Sequence, residues 1–221
     1  ELPIPFGSDL LSSRAVLKSH HNKFRLPELL LIAVLTCLST LAIAQDSHPA
    51  RELVDRASAA VRTDPELSRR DAFAALEILA ARPDADLEIR ARLLLCDYFA
   101  ERDRAAAEEQ VERAASLLAR ATRPGLRAGV LECRGAITET VGDNATARQL
   151  YEEAVSIATT TGDEEMLANA LVARGYLLGL QGQYASGLAD LKHAAGIFDA
   201  ISLPQHALTA LNGIAILYNR M

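Results

Sequence analysis

Gly135, Gly175 and Ala215 stand 40 residues apart, each a small residue inside an apolar helical stretch. The same register recurs at Leu95, so the second half of the chain is an internal repeat of fixed period. Such a period restricts the fold more than any single residue does. Each unit is one supersecondary element that buries its apolar face only against its neighbours.

The offsets within a unit define its shape. Twelve residues after Leu95, Gly135 and Gly175 stand Ala107, Ala147 and Gly187; sixteen after stand Val111, Tyr151 and Leu191; nineteen after stand Ala114, Ala154 and Ala194. Three residues after each reference position come Tyr98, Thr138, Leu178 and Tyr218. A small, small, large, small pattern predicts a helix-turn-helix pair, in which small residues admit a second helix at about 8–10 Å and the large residue fills the crossing. Gly142 and Gly182 fall seven residues after the reference glycine, where the first helix must stop and a left-handed residue ends it cheaply. Pro83, Pro124, Pro204 and the loop Thr160–Asp163 separate the units. Composition agrees: half the residues are hydrophobic, only 5% are aromatic, and Trp is absent, a profile of closely packed helices.

This pattern resembles the tetratricopeptide repeat in a 40-residue form, over residues 86–221. The resemblance implies an all-α, right-handed α-solenoid of helix-turn-helix repeats whose first helices line a concave groove. Leu95 in place of a small residue and Arg102 in place of Gly142 and Gly182 mark the first unit as the most divergent. Residues 45–85 read as a degenerate preceding repeat: Ala60, Ala72, Leu76 and Leu79 keep the offsets, and Asp64-Pro65 marks its second helix start. The period also predicts a second helix after Met221, so the chain reads as part of something longer.

The N-terminal residues carry a targeting pattern. Lys23 and Arg25 precede an apolar run from Leu29 to Ala42, and Ala42-Ile43-Ala44 supplies a small-x-small site before Gln45. Residues 23–44 read as a secretory signal, with an uncleaved membrane anchor as the alternative. Residues 1–22 precede it without a starting Met and read as unstructured or upstream-translated sequence. Cys96 and Cys133 remain in the mature chain. On apolar helix faces they read first as small buried hydrophobes, although export would permit a disulfide.

Nothing in the sequence assembles a catalytic, metal or cofactor constellation: it has no Gly-rich phosphate loop, no Cys-x-x-Cys and no His-Glu-x-x-His. Gly162-Asp-Glu-Glu165 reads as a turn and helix start, with acids favoured at the positive helix end. The net charge of −6, with no basic cluster denser than Arg69-Arg70, argues against a nucleic-acid partner. Function is therefore expected on the groove. Positions three before, one after and four after each reference residue give Arg92, Cys96 and Phe99; Glu132, Ala136 and Glu139; Val172, Tyr176 and Gly179; and Asn212, Ile216 and Asn219. Asn169, Asn212 and Arg92 would hydrogen-bond a peptide backbone or carboxylate, and Tyr176 would offer an aromatic platform.

The stretches 173–184 and 203–221 are similar to the exported repeat region of bacterial membrane diguanylate cyclases, and related histidine kinases share that layout. The resemblance implies a periplasmic sensing or interaction module for a protein, peptide or other ligand, tied to the membrane through the signal or a C-terminal span. The GGDEF catalytic part has no counterpart here. The alternative is a free periplasmic adapter.

Overall fold

The computed structural model describes residues 48–221, within which every regular element is helical. In chain order these are α1 (Pro49–Ala60), α2 (Pro65–Ala81), α3 (Ala85–Phe99), α4 (Arg104–Leu117), a short 3-10 turn (Leu118–Arg120), α5 (Leu126–Thr140), α6 (Asn144–Thr161), α7 (Glu164–Leu180), α8 (Tyr184–Ala200) and α9 (Pro204–Arg220). The signal-like segment 23–44 and residues 1–22 lie outside the described residues. No described helix is long and apolar enough to cross a membrane.

Local chemistry sets the helix boundaries. Asp64, Asp84, Asp103, Asp143 and Asp163 each accept a backbone N–H of the following first turn, at 3.0–3.1 Å. A carboxylate there satisfies a donor that the helix itself leaves unpaired. Pro49, Pro65 and Pro204 occupy first helical positions, where a missing N–H costs nothing. Gly142, Gly162 and Gly182 take positive φ values of 83°, 67° and 78° after α5, α6 and α7. Ser202, one period after Gly162, adopts φ 60° in the corresponding turn after α8. Arg102 does not enter the left-handed region; the α3–α4 turn instead closes with Arg102 and Asp103 N–H groups both donating to the Phe99 carbonyl.

Consecutive helices pack against each other along the whole chain, and α1, α3, α5, α7 and α9 also touch their nearest odd-numbered neighbours. The even-numbered helices make no comparable contact with one another. Two layers result, an inner one of odd helices and an outer one of even helices. The core follows this order as a series of clusters, from Val54, Leu79 and Leu87 at one end to Phe198, Leu191 and Leu217 at the other.

Small residues decide how near the layers come. Gly135 lies under the ring of Tyr151, which is buried between α5, α6 and α7 together with Ala147 and Leu177. Gly175 and Gly187 bring the α7 and α8 backbones into direct contact, since a Cβ on either would meet the carbonyl oxygen of the other. Leu191, Ala194 and Ala154 are fully buried at these crossings. Ala215, expected from its spacing to pack in the same way, is exposed. In α9 the packed side is instead carried by Gly213, under Tyr176 and Leu191, and by Leu217, which fills the space over Gly179 and Gly187. The position equivalent to Gly175 faces the second helix of its own pair, and α9 is the last described helix.

The cysteines also depart from the first sequence reading. Cys96 of α3 and Cys133 of α5 form a disulfide, with Cα atoms 6.4 Å apart. Both are buried, so the bond sits inside the inner layer as a covalent tie between adjacent odd helices.

Two measurements test this packing. Gly187→Ala places a methyl group against the backbone of α7, which is expected to cost about 1–3 kcal/mol. Gly196→Ala, in the same helix but with open space at its Cβ, is expected to gain up to about 1 kcal/mol. Equal shifts in urea unfolding would contradict the close approach. Replacing both Cys96 and Cys133 by Ala should lower the unfolding free energy by about 2–4 kcal/mol, because the bond closes a loop spanning 37 residues in the unfolded chain.

Candidate functional site

The inner layer converges on one side chain. Arg62, in the turn after α1, donates from Nη2 to Asp97 Oδ1 of α3 at 2.9 Å. Its guanidinium is raised above its ordinary range, chiefly by Asp97 and also by Glu132 of α5. The same charge acts on Tyr176 of α7 and on His206 of α9. One residue thus lies within electrostatic reach of all four later odd helices. With 52% of its side chain exposed, Arg62 stands at the surface rather than in the core.

One contact joins the first and last of the odd-numbered helices. Ser58 Oγ of α1 and His206 Nε2 of α9 approach to 3.5 Å although 148 residues separate them. The His206 ring also packs on Phe198 at 5.3 Å between centroids. Burial pushes the imidazole below its ordinary range, Arg62 adds to the effect, and Glu165 and Asp97 oppose it.

Glu132 is the exceptional carboxyl. It is half-buried on α5, and no described side chain or backbone N–H donates to it. Burial, reinforced by the Asp97 charge and opposed by Arg62, pushes it from 4.5 up to about 7. Tyr176 is likewise half-buried, with burial pushing its phenol up. A second set of charges lies toward the N-terminal ends of the inner helices. Arg90 bridges Asp55 at 3.0 Å and Glu165 at 4.0 Å, while Arg123 binds Asp163 at 2.5 Å and Glu165 at 3.0 Å.

The spacing argument for groove residues meets this arrangement unevenly. Glu132 and Tyr176 lie in the cluster around Arg62, and Asn169 is half-buried on the same helix as Tyr176. Arg92 is corrected: its Nε and Nη2 donate to Glu88 Oε1 at 3.0 and 2.6 Å and its Nη1 to Gln110 Oε1 at 3.0 Å, so the guanidinium is tied across α3 and α4. Phe99 packs edge-on to Phe73 of α2 at 6.4 Å and to Tyr98 at 5.0 Å. Glu139 accepts the Tyr151 hydroxyl at 2.9 Å, which makes it a partner of the buried aromatic. Cys96 is in the disulfide, and Gly179 lies buried beneath Leu217. Asn212 and Asn219 are exposed on α9.

Arg62, Asp97, His206, Arg90 and Glu165 escape the sequence reading. Asp97 sits one position beyond the offset taken as groove-facing, and Arg62 belongs to the degenerate first pair, where the repeat register is hardest to extend. The usable signal was charge: each is an ionisable residue on or beside a first helix. The sequence matches no protein-family model and no curated protein.

The raised Glu132 carboxyl gives a stability profile with a definite sign. In the folded state it binds its proton more tightly than in the unfolded chain. Its contribution is therefore fully present below 4.5 and is lost as pH rises through about 7. Glu132→Gln is expected to flatten that dependence and to be the more stable protein in mildly alkaline buffer. Urea unfolding of both proteins on the acid and alkaline sides of that window checks it. Parallel profiles would count against the enclosed position.

Proposed function

We propose that this chain is an exported tetratricopeptide-type module, a right-handed α-solenoid whose inner face binds a protein, a peptide or another ligand. In this reading it serves as the sensory part of a membrane signalling protein such as a diguanylate cyclase. The observation that carries the binding role is the convergence on Arg62 of polar side chains from every inner helix. Packing two helix layers does not by itself call for a carboxyl, a phenol, an imidazole and an ion pair gathered around one exposed arginine.

Two further features support the reading. The second helices α4, α6 and α8 start at Arg104, Asn144 and Tyr184, 40 residues apart, in keeping with a repeat array. The Cys96–Cys133 bond fits an oxidising compartment, which is where such bonds persist. The output mechanism follows from geometry. Each odd helix meets the next through a few side chains, so a ligand that changes each crossing slightly moves α1 and α9 by the accumulated amount. The Ser58–His206 contact is where that sum is read.

Export is tested by fusing alkaline phosphatase, active only outside the cytoplasm, after Met221. Activity is expected, and its loss is expected when residues 23–44 are deleted. A fusion active only as a cytoplasmic reporter would overturn the exported reading.

A further inference from the structure

A cleft of about 390 Å³ lies where the starts of α1 and α3 meet the chain between α4 and α5. Four guanidinium groups line it: Arg51 of α1, Arg90 of α3, Arg120 of the 3-10 turn and Arg123 of the loop that follows. The acids in its lining are Asp84 and Asp86. This local excess of cations runs against the net charge of −6 carried by the whole chain. Arg62 and the side chains grouped around it take no part in the lining.

The four arginines differ in what they already hold. Arg90 reaches Asp55 at 3.0 Å and Glu165 at 4.0 Å, and Arg123 is held by Asp163 and Glu165. Most described arginines are likewise paired with a carboxylate, but Arg51 and Arg120 form no ion pair among the described residues. Neither aspartate of the lining supplies the missing partner. Asp84 Oδ1 accepts the Leu87 N–H at 3.0 Å as the cap of α3. Asp86 accepts the Thr122 N–H at 2.8 Å, the Arg123 N–H at 3.4 Å and the Thr122 hydroxyl. Donors are left over on the backbone as well. The N–H groups of Ala85 and Asp86, in the first turn of α3, have no acceptor among the described residues.

We propose that this cleft binds a small polyvalent oxyanion, bridged between Arg51 and Arg120 beside the start of α3. The site is separate from the inner face and does not depend on what that face binds. A guanidinium takes carboxylate or phosphate oxygens through a flat fork of donors, and a helix start adds favourable partial charge. Two unpaired arginines on different elements call for a ligand that offers oxygens to both. The charges of Asp84 and Asp86 oppose any anion, so a monovalent one gains too little to stay. A cation fares worse, since four arginines repel it and the aspartate oxygens already accept backbone N–H groups. No group of three or more His, Cys, Asp or Glu side chains among the described residues is placed to hold a metal. The volume falls within the range of about 300–1,000 Å³ usual for small-molecule sites. Inorganic phosphate and a tricarboxylate both present the required oxygens.

Calorimetric titration of the purified chain with citrate, inorganic phosphate and acetate, at neutral pH and constant ionic strength, tests the site. Binding of citrate, of phosphate or of both is expected, and which binds tells a carboxylate ligand from a phosphate one. Acetate should not bind. Arg51→Gln and Arg120→Gln should each weaken binding at least about tenfold. Both residues are exposed, so the variants should keep the helical circular dichroism of the parent. Arg220→Gln, which removes an exposed charge at the end of α9, should leave the affinity unchanged. Absence of citrate and phosphate binding up to about 10 mM overturns the proposal, as does unchanged affinity in either folded cleft variant. An equal loss in Arg220→Gln also overturns it, because the effect would then follow the charge of the whole chain. Acetate binding as tightly as citrate or phosphate would overturn the bridging of two arginines.

Discussion

Close approach of helices at small residues is the constraint on which the rest of this molecule depends. Where Gly175 and Gly187 meet, the backbones of α7 and α8 touch without intervening side chains. Where Gly135 meets Tyr151, a single aromatic ring fills the crossing and its hydroxyl finds Glu139 at 2.9 Å. A buried phenol without that acceptor would lose its hydration for nothing. Each crossing therefore leaves little freedom in the angle between helices, because protein interiors pack at the density of organic crystals.

Polar ties hold the turns between pairs in register with that packing. Asp86 accepts the Thr122 and Arg123 backbone N–H groups at 2.8 and 3.4 Å, joining the start of α3 to the loop before α5. Arg123 from that loop forks onto Asp163, the cap of α7, at 2.6 and 2.5 Å. Asp163 thus caps a helix and anchors the preceding loop with the same carboxylate. A planar guanidinium suits this two-point contact better than an ammonium would. The Cys96–Cys133 bond adds a covalent tie one layer inward, beside Asp97 and Glu132 in the chain. Neighbouring inner helices cannot separate there without breaking it.

Much of the helical framework was legible from the residues. The offsets of Ala107, Ala147 and Gly187 located the second helices, and the glycines at 142, 162 and 182 take the positive φ values that end a helix cheaply. The surroundings of Arg62 were only partly legible. The spacing argument reaches Glu132 and Tyr176, both near Arg62, because spacing within a helix decides which face a residue shares. Arg92 was misplaced because a long side chain is not bound to the direction of its Cβ, and Glu88 and Gln110 drew it across the pair. Ala215 and Gly179 failed for another reason: α9 packs on α8 through Gly213 and Leu217, and Leu217 covers Gly179.

By itself, the sequence determined the period, the helical character of each unit and the places where helices stop, because these follow from contacts within about 20 residues along the chain. The tertiary structure decided which residues of different helix pairs meet. Ser58 with His206 depends on how several crossings add together in space, while Arg62 with Asp97 and Cys96 with Cys133 depend on how one pair docks on the next. No local pattern records that sum, since a small change of angle at each crossing moves the distant partners apart by several times as much.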